Sequence, residues 1–301
     1  MNRSGASSAR FFPTTLPIGT IGDLLAGCTA MLESVGVSEP GREARDIVAA
    51  VLDVPRFWAA ANSVADASPE VARSVIRAAM NRARGAPLAY AVGRASFRHL
   101  TLEVDDRVLI PRVETEVLVE RVLERCAPRT RRIADIGTGS GAIALSLAFE
   151  RNFDLIIATD ISLDAIAVAT ANASAMAKVL KSVVEFRHGS LLAPLAGEEL
   201  DAVVCNPPYI SFAEVGELPA DVRDWEPSLA LLCPDDGLSV TRDLVREVPS
   251  VLKPGGFLAL EVDTRRAGIV AEMVAVDRRY SGVEVGLDLT GRERFVFATR
   301  A

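Results

Sequence analysis

From Arg132 onward, short apolar runs of strand length alternate with longer helical patterns. A chain that repeats strand, helix, strand in this way can bury its apolar faces only as a mostly parallel sheet flanked by helices. The predicted strands are "RIADIG", "LIIATD", "VVEFRHG", "LDAVVCN", "GFLALEVD" and "ERFVFATR". The last two are separated by a helix and the stretch "SGVEVGLDLTG". Predicted helices are "GAIALSLAFER", "SLDAIAVATANASAM", "GLSVTRDLVREVPSVL" and "AGIVAEMVAVD".

The chain ahead of this region follows another period. Between residues 18 and 85 the apolar residues recur at three- and four-residue spacing, as in "TIGDLLAGCTAMLESVGV". Ser68 is the expected N-cap of a further helix, with Pro69 at its first position and Gly85 as its stop. "SFRHLTLEVDDRVLI" then alternates apolar and polar residues, the pattern of a half-buried hairpin. The expected organisation is a flexible N-terminus over 1–17, a small all-helical domain over 18–85, a β-hairpin linker over 86–110, and an α/β domain over 111–301. At 301 residues the chain has length for two domains.

Composition narrows the function. No run of 18 uninterrupted apolar residues exists, so neither a membrane span nor a membrane partner is expected. The first twelve residues lack the apolar core of a secretory signal. The four cysteines form no CxxC pair and there are two histidines, so no metal site and no disulfide framework is expected, and the protein reads as cytoplasmic. A net charge of −7 disfavours direct nucleic-acid binding. Arginines cluster nonetheless: Arg73, Arg77, Arg82, Arg84, Arg94 and Arg98 fall in a stretch without Asp or Glu. This is either a solvated face or a docking patch for an acidic partner.

The first strand of the α/β region turns through "ADIGTGSGAIAL". Gly137, Gly139 and Gly141 allow a tight turn and close ligand approach, with helix N-terminal amides facing the ligand. The spacing is G-x-G-x-G rather than the dinucleotide G-x-G-x-x-G. With Asp135 ahead of it and Asp160 ending the next strand, this loop resembles the S-adenosylmethionine site of class I methyltransferases. The resemblance implies a Rossmann-like domain with a mostly parallel seven-stranded sheet, and S-adenosyl-L-homocysteine as product. It makes Asp135, Gly137, Thr138, Gly139, Gly141, Asp160, Ile161, Ser190, Leu191 and Asn206 cofactor contacts, with Asp160 on the ribose hydroxyls.

"NPPY" (Asn206, Pro207, Pro208, Tyr209) follows the fourth strand, where two prolines end the ladder and stiffen the backbone. The nitrogen of a carboxamide or aromatic amine has a delocalised lone pair. To attack a methyl sulfonium it needs acceptors on its N–H groups that strengthen as it becomes tetrahedral. The Asn206 side-chain oxygen and the Pro207 carbonyl offer two, and Tyr209 offers a face for a planar group. No general base is required. The motif does not distinguish an amide from an exocyclic amine, so an adenine N6-methyltransferase acting on DNA or RNA stays open at this point, as does a non-catalytic binding module.

Longer segments separate these. "GAPLAYAVGRASFRHLTLEVDDRVLIPRVETEVLVERVL", "DIGTGSGAIALSLA", "ATDISLDAIAVATANA", "CNPPYI" and "WEPSLALLCPDDGLSVTRDLV" resemble the release-factor glutamine N5-methyltransferases over about residues 20–301. That family methylates the glutamine of the Gly-Gly-Gln tripeptide in peptide chain release factors. The resemblance implies an enzyme with release factors as partners, and a monomer is expected. It makes Asn206, Pro207 and Tyr209 catalytic, and adds Pro208, Arg112, Glu114 and Glu226 to the substrate-binding set. Glu116 and Pro227 lie nearby; these linker and rim residues also have structural readings, as helix N-terminal acids or a turn proline. Three departures stand out. Val113 replaces a usual proline and loosens that turn. Ser190 stands where many members carry an acid that meets the adenine amine. "LEVDTRRAG" lacks the usual glycine-aromatic pattern.

Overall fold

The computed structural model describes residues 19–301; the N-terminus expected to be flexible lies outside the described residues. Two compact units result, one ending at Val92 and the other beginning at Gly93.

The first unit contains α1 (Ile21–Ser34), α2 (Pro40–Leu52), α3 (Trp58–Ala61), α4 (Pro69–Ala83) and α5 (Leu88–Val92). Thr20 begins α1 with a reciprocal capping box to Asp23. Ser68 caps α4 by accepting the Val71 N–H at 3.3 Å, and Pro69 opens the helix. The apolar stripes meet in one core containing Leu24, Leu32, Ile47 and Val75, each fully buried. Each such side chain contributes about 1.5–3 kcal/mol relative to exposure. The short helix α5 packs on α2 and α4 through Leu88 and Val92, which extends this unit past Gly85. Of the arginine cluster, Arg82 is tied to Glu43 at 2.5 Å, while Arg73, Arg77 and Arg84 are exposed.

The second unit opens with the hairpin β1 (Arg94–Phe97) and β2 (Leu100–Glu103), then α6 (Val113–Arg125). Arg98 of the hairpin turn pairs with Glu150 at 2.5 Å. The α/β alternation follows: β3 (Arg132–Ile136), α7 (Ala142–Glu150), β4 (Leu155–Asp160), α8 (Leu163–Ala175), β5 (Val184–His188) and β6 (Leu200–Cys205). After β6 come β7 (Ile210–Ser211), α9 (Ala220–Arg223), α10 (Ser228–Leu231) and β8 (Leu232–Cys233). The chain ends with α11 (Ser239–Glu247), β9 (Leu252–Glu261), α12 (Ala267–Val276), β10 (Tyr280–Leu287) and β11 (Glu293–Arg300).

Seven strands form one sheet in the order β10-β11-β9-β6-β3-β4-β5. Five are parallel, and β11 runs antiparallel between β9 and β10. The stretch "SGVEVGLDLTG" contributes most of β10, whose pairing with β11 shifts register twice. Strands β3, β4 and β6 are apolar on both faces because helices cover both. The order reverses at β3, which lies between β4 and β6, and such a switch point opens a crevice at the carboxyl ends of the strands. Among the described residues no helix is long and apolar enough to cross a membrane.

Candidate active site

Register brings the two sequence motifs together. Ile136 of β3 stands opposite Cys205 of β6 and Thr159 of β4. The glycine loop after β3, Asp160 at the end of β4 and Asn206 just after β6 therefore share one edge.

The glycine loop is held by β4. The Gly137 and Thr138 amides both donate to the Thr159 carbonyl at 2.9 Å, and the Gly139 amide donates to Asp160 Oδ2 at 2.9 Å. Gly139 has φ +56°, and a Cβ there would project into open space, so conformation and access require the glycine. Asp160 Oδ1 accepts the Ser162 N–H at 2.9 Å. Each Asp160 oxygen thus has one backbone partner and keeps a lone pair for a hydroxyl. Ile161 beside it is half exposed, an apolar surface at the mouth of the crevice.

Asp135 is fully buried. Its Oδ2 accepts the Thr138 hydroxyl at 2.7 Å and the Ala144 N–H at 3.1 Å, whereas Oδ1 has no partner in the protein. Burial pushes this carboxyl up to about 7, although the Thr138 and Ala144 donors oppose it. A buried acceptor beneath the glycine loop, with open space over Gly137 and Gly139, fits a ligand that brings its own donor. Thr138 is buried against Asp135. Ser190 is exposed after β5, and Leu191 adopts the left-handed region at φ +46°. Gly189 ties this turn to β4 by donating to the Asp160 carbonyl at 2.9 Å.

At the other side of the edge, Pro207 is buried and Asn206, Pro208 and Tyr209 are half-buried. The Tyr209 hydroxyl is pushed up to about 12 by burial and by the Glu261 charge, so it stays protonated. The turn before α11 presses on this motif: a Cβ at Gly237, φ +82°, would collide with the Tyr209 carbonyl. Beyond the motif, Glu214 accepts the Ser211 N–H at 2.9 Å and Arg266 Nη2 at 2.6 Å. Burial alone would raise the Glu214 carboxyl, but these donors outweigh it and take it down to about 2.

The linker and rim residues meet one another. Glu226 is buried and accepts Arg112 Nη2 at 2.6 Å and the Ile110 N–H at 3.3 Å. It therefore braces the turn that leads into α6, from the Ile110 amide to the Arg112 side chain. Glu116 lends its carbonyl to Arg98 at 2.8 Å. Between the two acids singled out from the sequence lies the buried Thr115, whose hydroxyl donates to Glu261 Oε2 at 2.7 Å. Asn206 Nδ2 donates to that same hydroxyl oxygen at 3.2 Å. Neither Thr115 nor Glu261 stands out in the sequence. Asn172 of α8 was also missed: it donates to the Ser140 carbonyl at 2.9 Å and to the Glu103 carbonyl at 3.0 Å, bracing the glycine loop on β2. Among the described residues no group of three or more His, Cys, Asp or Glu is arranged to hold a metal ion.

This topology and edge define a class I S-adenosylmethionine-dependent methyltransferase. Residues 113–217 match the methyltransferase small domain, and residues 23–93 match the PrmC N-terminal domain. The release factor glutamine methyltransferase of Moorella thermoacetica is 40% identical over 282 residues, 93% of this chain and 99% of that protein. That of Deinococcus radiodurans is 38% identical over 282 residues, covering 93% and 98%. The chain belongs to the release factor glutamine methyltransferase family. A solved structure of the hMettl16 catalytic domain in complex with MAT2A 3'UTR hairpin 6 shares 14% identity over 78% of this chain and 82% of that one, with a TM-score of 0.52. That likeness is one of fold.

Proposed function

We infer that this chain transfers a methyl group from S-adenosylmethionine to the side-chain amide nitrogen of the glutamine in the Gly-Gly-Gln motif of peptide chain release factors. The observation that carries the reading is Asn206. Its NH2 is engaged by Thr115 behind it, so its oxygen is available as an acceptor beside the cofactor loop.

When bound, S-adenosylmethionine supplies an electrophilic methyl on a positively charged sulfonium. Asp135 Oδ1 would meet a donor of the amino-acid end, the glycine loop would cradle the chain, and Asp160 would accept from the ribose hydroxyls. Ile161, Ser190 and Leu191 would border the base. The acceptor amide would donate its N–H groups to Asn206 Oδ1 and the Pro207 carbonyl. These dipoles favour the nitrogen as it loses conjugation and becomes tetrahedral, and they cost no reorganisation because the prolines hold the backbone. Tyr209 would pack on the amide plane. Arg112, Glu114 and Glu226 would shape the rim.

The same reading makes the enzyme a cytoplasmic monomer that contacts its protein substrate without binding nucleic acid. The net charge of −7 supports the absence of nucleic-acid binding, because it disfavours a phosphate backbone. The test is a radiolabelled methyl-transfer assay with three separate acceptors: a release factor, its Gln→Ala variant in the Gly-Gly-Gln loop, and double-stranded DNA. Label on the first alone, lost in Asn206→Ala, is the expected result. Label on DNA, or none despite cofactor binding, overturns the substrate.

A further inference from the structure

Asn206 works as an acceptor only if its oxygen, not its NH2, faces the substrate. The two ends of an amide have nearly the same shape, so packing alone does not choose between them. The choice is made behind the residue. Glu261, the last residue of β9, is buried and accepts a hydrogen bond from the Thr115 hydroxyl at 2.7 Å. An ionised carboxylate only accepts, and a threonine hydroxyl has one proton. With that proton committed to Glu261, Thr115 can offer Asn206 nothing but lone pairs. Only the NH2 end satisfies them, as the 3.2 Å contact from Nδ2 shows. Register makes the triad possible: Cys205 of β6 stands opposite Leu260 of the neighbouring parallel strand β9, so Asn206 and Glu261 leave the sheet side by side.

We propose that Thr115 and Glu261 are positioning residues for the methyl transfer, forming a hydroxyl relay that locks the Asn206 amide with Oδ1 toward the acceptor nitrogen. This rests on the glutamine reading above. The relay reverses if Glu261 takes up a proton. A protonated Glu261 donates to Thr115, which then donates its own proton forward and draws the Asn206 oxygen round. The NH2 would now face the N–H groups of the acceptor.

The groups facing Glu261 are Arg112 and Glu114 at the start of α6, Arg294 of β11, and Cys205 and Tyr209 around the end of β6. Burial raises Glu261 to about 7, with Thr115, Arg294 and Arg112 pulling down and Glu114 pushing up. Transfer therefore falls as pH drops through that region. Asp135 titrates in the same range, so the rate is read at saturating cofactor, where its effect on binding does not count.

The experiment compares wild type, Thr115→Val, Thr115→Ser and Glu261→Gln in kcat, in S-adenosylmethionine affinity and in pH profile. Thr115→Val keeps the shape and removes the relay. Its kcat should fall roughly 10- to 100-fold with cofactor affinity unchanged, and Thr115→Ser should recover most of the loss. Glu261→Gln should flatten the acid limb. A Thr115→Val enzyme as fast as wild type, or a Thr115→Ser enzyme as slow as Thr115→Val, overturns the relay. A second readout needs no acceptor: the side-chain amide signals of Asn206 in a nitrogen-15 spectrum, identified by their loss in Asn206→Asp. They should shift in Thr115→Val and follow pH only while Glu261 is present; signals indifferent to both changes overturn the relay. If wild type methylates no release factor, the glutamine reading fails, and these spectra alone decide the relay.

Discussion

Arg112 Nη2 donates to Glu226 Oε1 at 2.6 Å, joining the residue that precedes α6 to a carboxylate 114 positions later. The pair is lopsided, because Arg112 is one-third exposed while the Glu226 side chain is 1% exposed. Removing one partner of such a pair costs most when it leaves the buried charge behind. Arg112→Met should cost about 3 kcal/mol of stability. Glu226→Gln, which can still accept from Arg112 and Ile110, should cost about 1 kcal/mol. Burial already raises the Glu226 carboxyl, with Arg112 opposing, and losing Arg112 raises it further. A folded-state value above the unfolded one means stability is lost as pH rises, so the Arg112→Met deficit should be larger at pH 8 than at pH 5. Urea unfolding at the two pH values tests this; equal deficits, or a costlier Glu226→Gln, would contradict it.

Asp135 should behave as a residue kept for binding at the expense of stability. Its carboxyl lies at about 7 in the folded protein against an ordinary 3.8, because burial disfavours the charge and Oδ1 has no donor. Its contribution is thus fully present below pH 3.8 and is lost as pH rises through about 7. Asp135→Asn can still accept from Thr138 and Ala144 while removing the buried charge. At pH 8 the ligand-free variant should melt a few degrees higher than wild type, the equivalent of roughly 1–3 kcal/mol, and bind S-adenosylmethionine more weakly. A lower melting temperature together with unchanged affinity would refute the assignment.

These two sites show which parts of the machinery were legible in the sequence. Gly137, Gly139, Asp160 and Asn206 announce themselves because each carries its own recognisable chemistry at the end of an apolar strand. Thr115 and Glu261 do not. Their role arises only when β9 lies beside β6 and the first turn of α6 faces inward, and both facts are tertiary. The helical turn that buries Thr115 directs its neighbours Glu114 and Glu116 to other faces. The fold was legible for a similar reason where periodicity is strong, as in β3, β4 and β6. It was weakest at β10, where glycines and shifts of register break the alternation, and at α5, whose five residues are too few to show a period.

Asp160 holds the glycine loop with the same carboxylate that is proposed above to accept from the ribose hydroxyls. Asp160→Ala should release the Gly139 and Ser162 amides and remove the ribose acceptor together. Charge-assisted hydrogen bonds contribute about 1.5–3 kcal/mol each, so S-adenosylhomocysteine affinity should fall by two orders of magnitude or more, on the order of 3 kcal/mol. Asp160→Asn keeps one acceptor oxygen and should lose less. Calorimetric titration with S-adenosylhomocysteine gives both numbers, and an unaltered affinity in the alanine variant would remove Asp160 from the cofactor site.

Gly237 lies against the NPPY motif, at the Tyr209 carbonyl, and not against the glycine loop. It sits at φ +82° between the Tyr209 carbonyl and the Arg266 guanidinium, which itself donates to the Asp236 carbonyl at 3.0 Å. An alanine there pays the left-handed penalty of about 1–2 kcal/mol and must also push the Tyr209 carbonyl away. The displaced segment carries Asn206 and Pro207, and displacements near 1 Å in such a frame cost roughly 100-fold in rate. Gly237→Ala should therefore lose at least tenfold in kcat, about 1.4 kcal/mol of barrier, while its S-adenosylmethionine affinity stays at the wild-type level. Parallel loss of affinity would mean that the disturbance spreads across β6 to the glycine loop, and that the two halves of the edge are not independent.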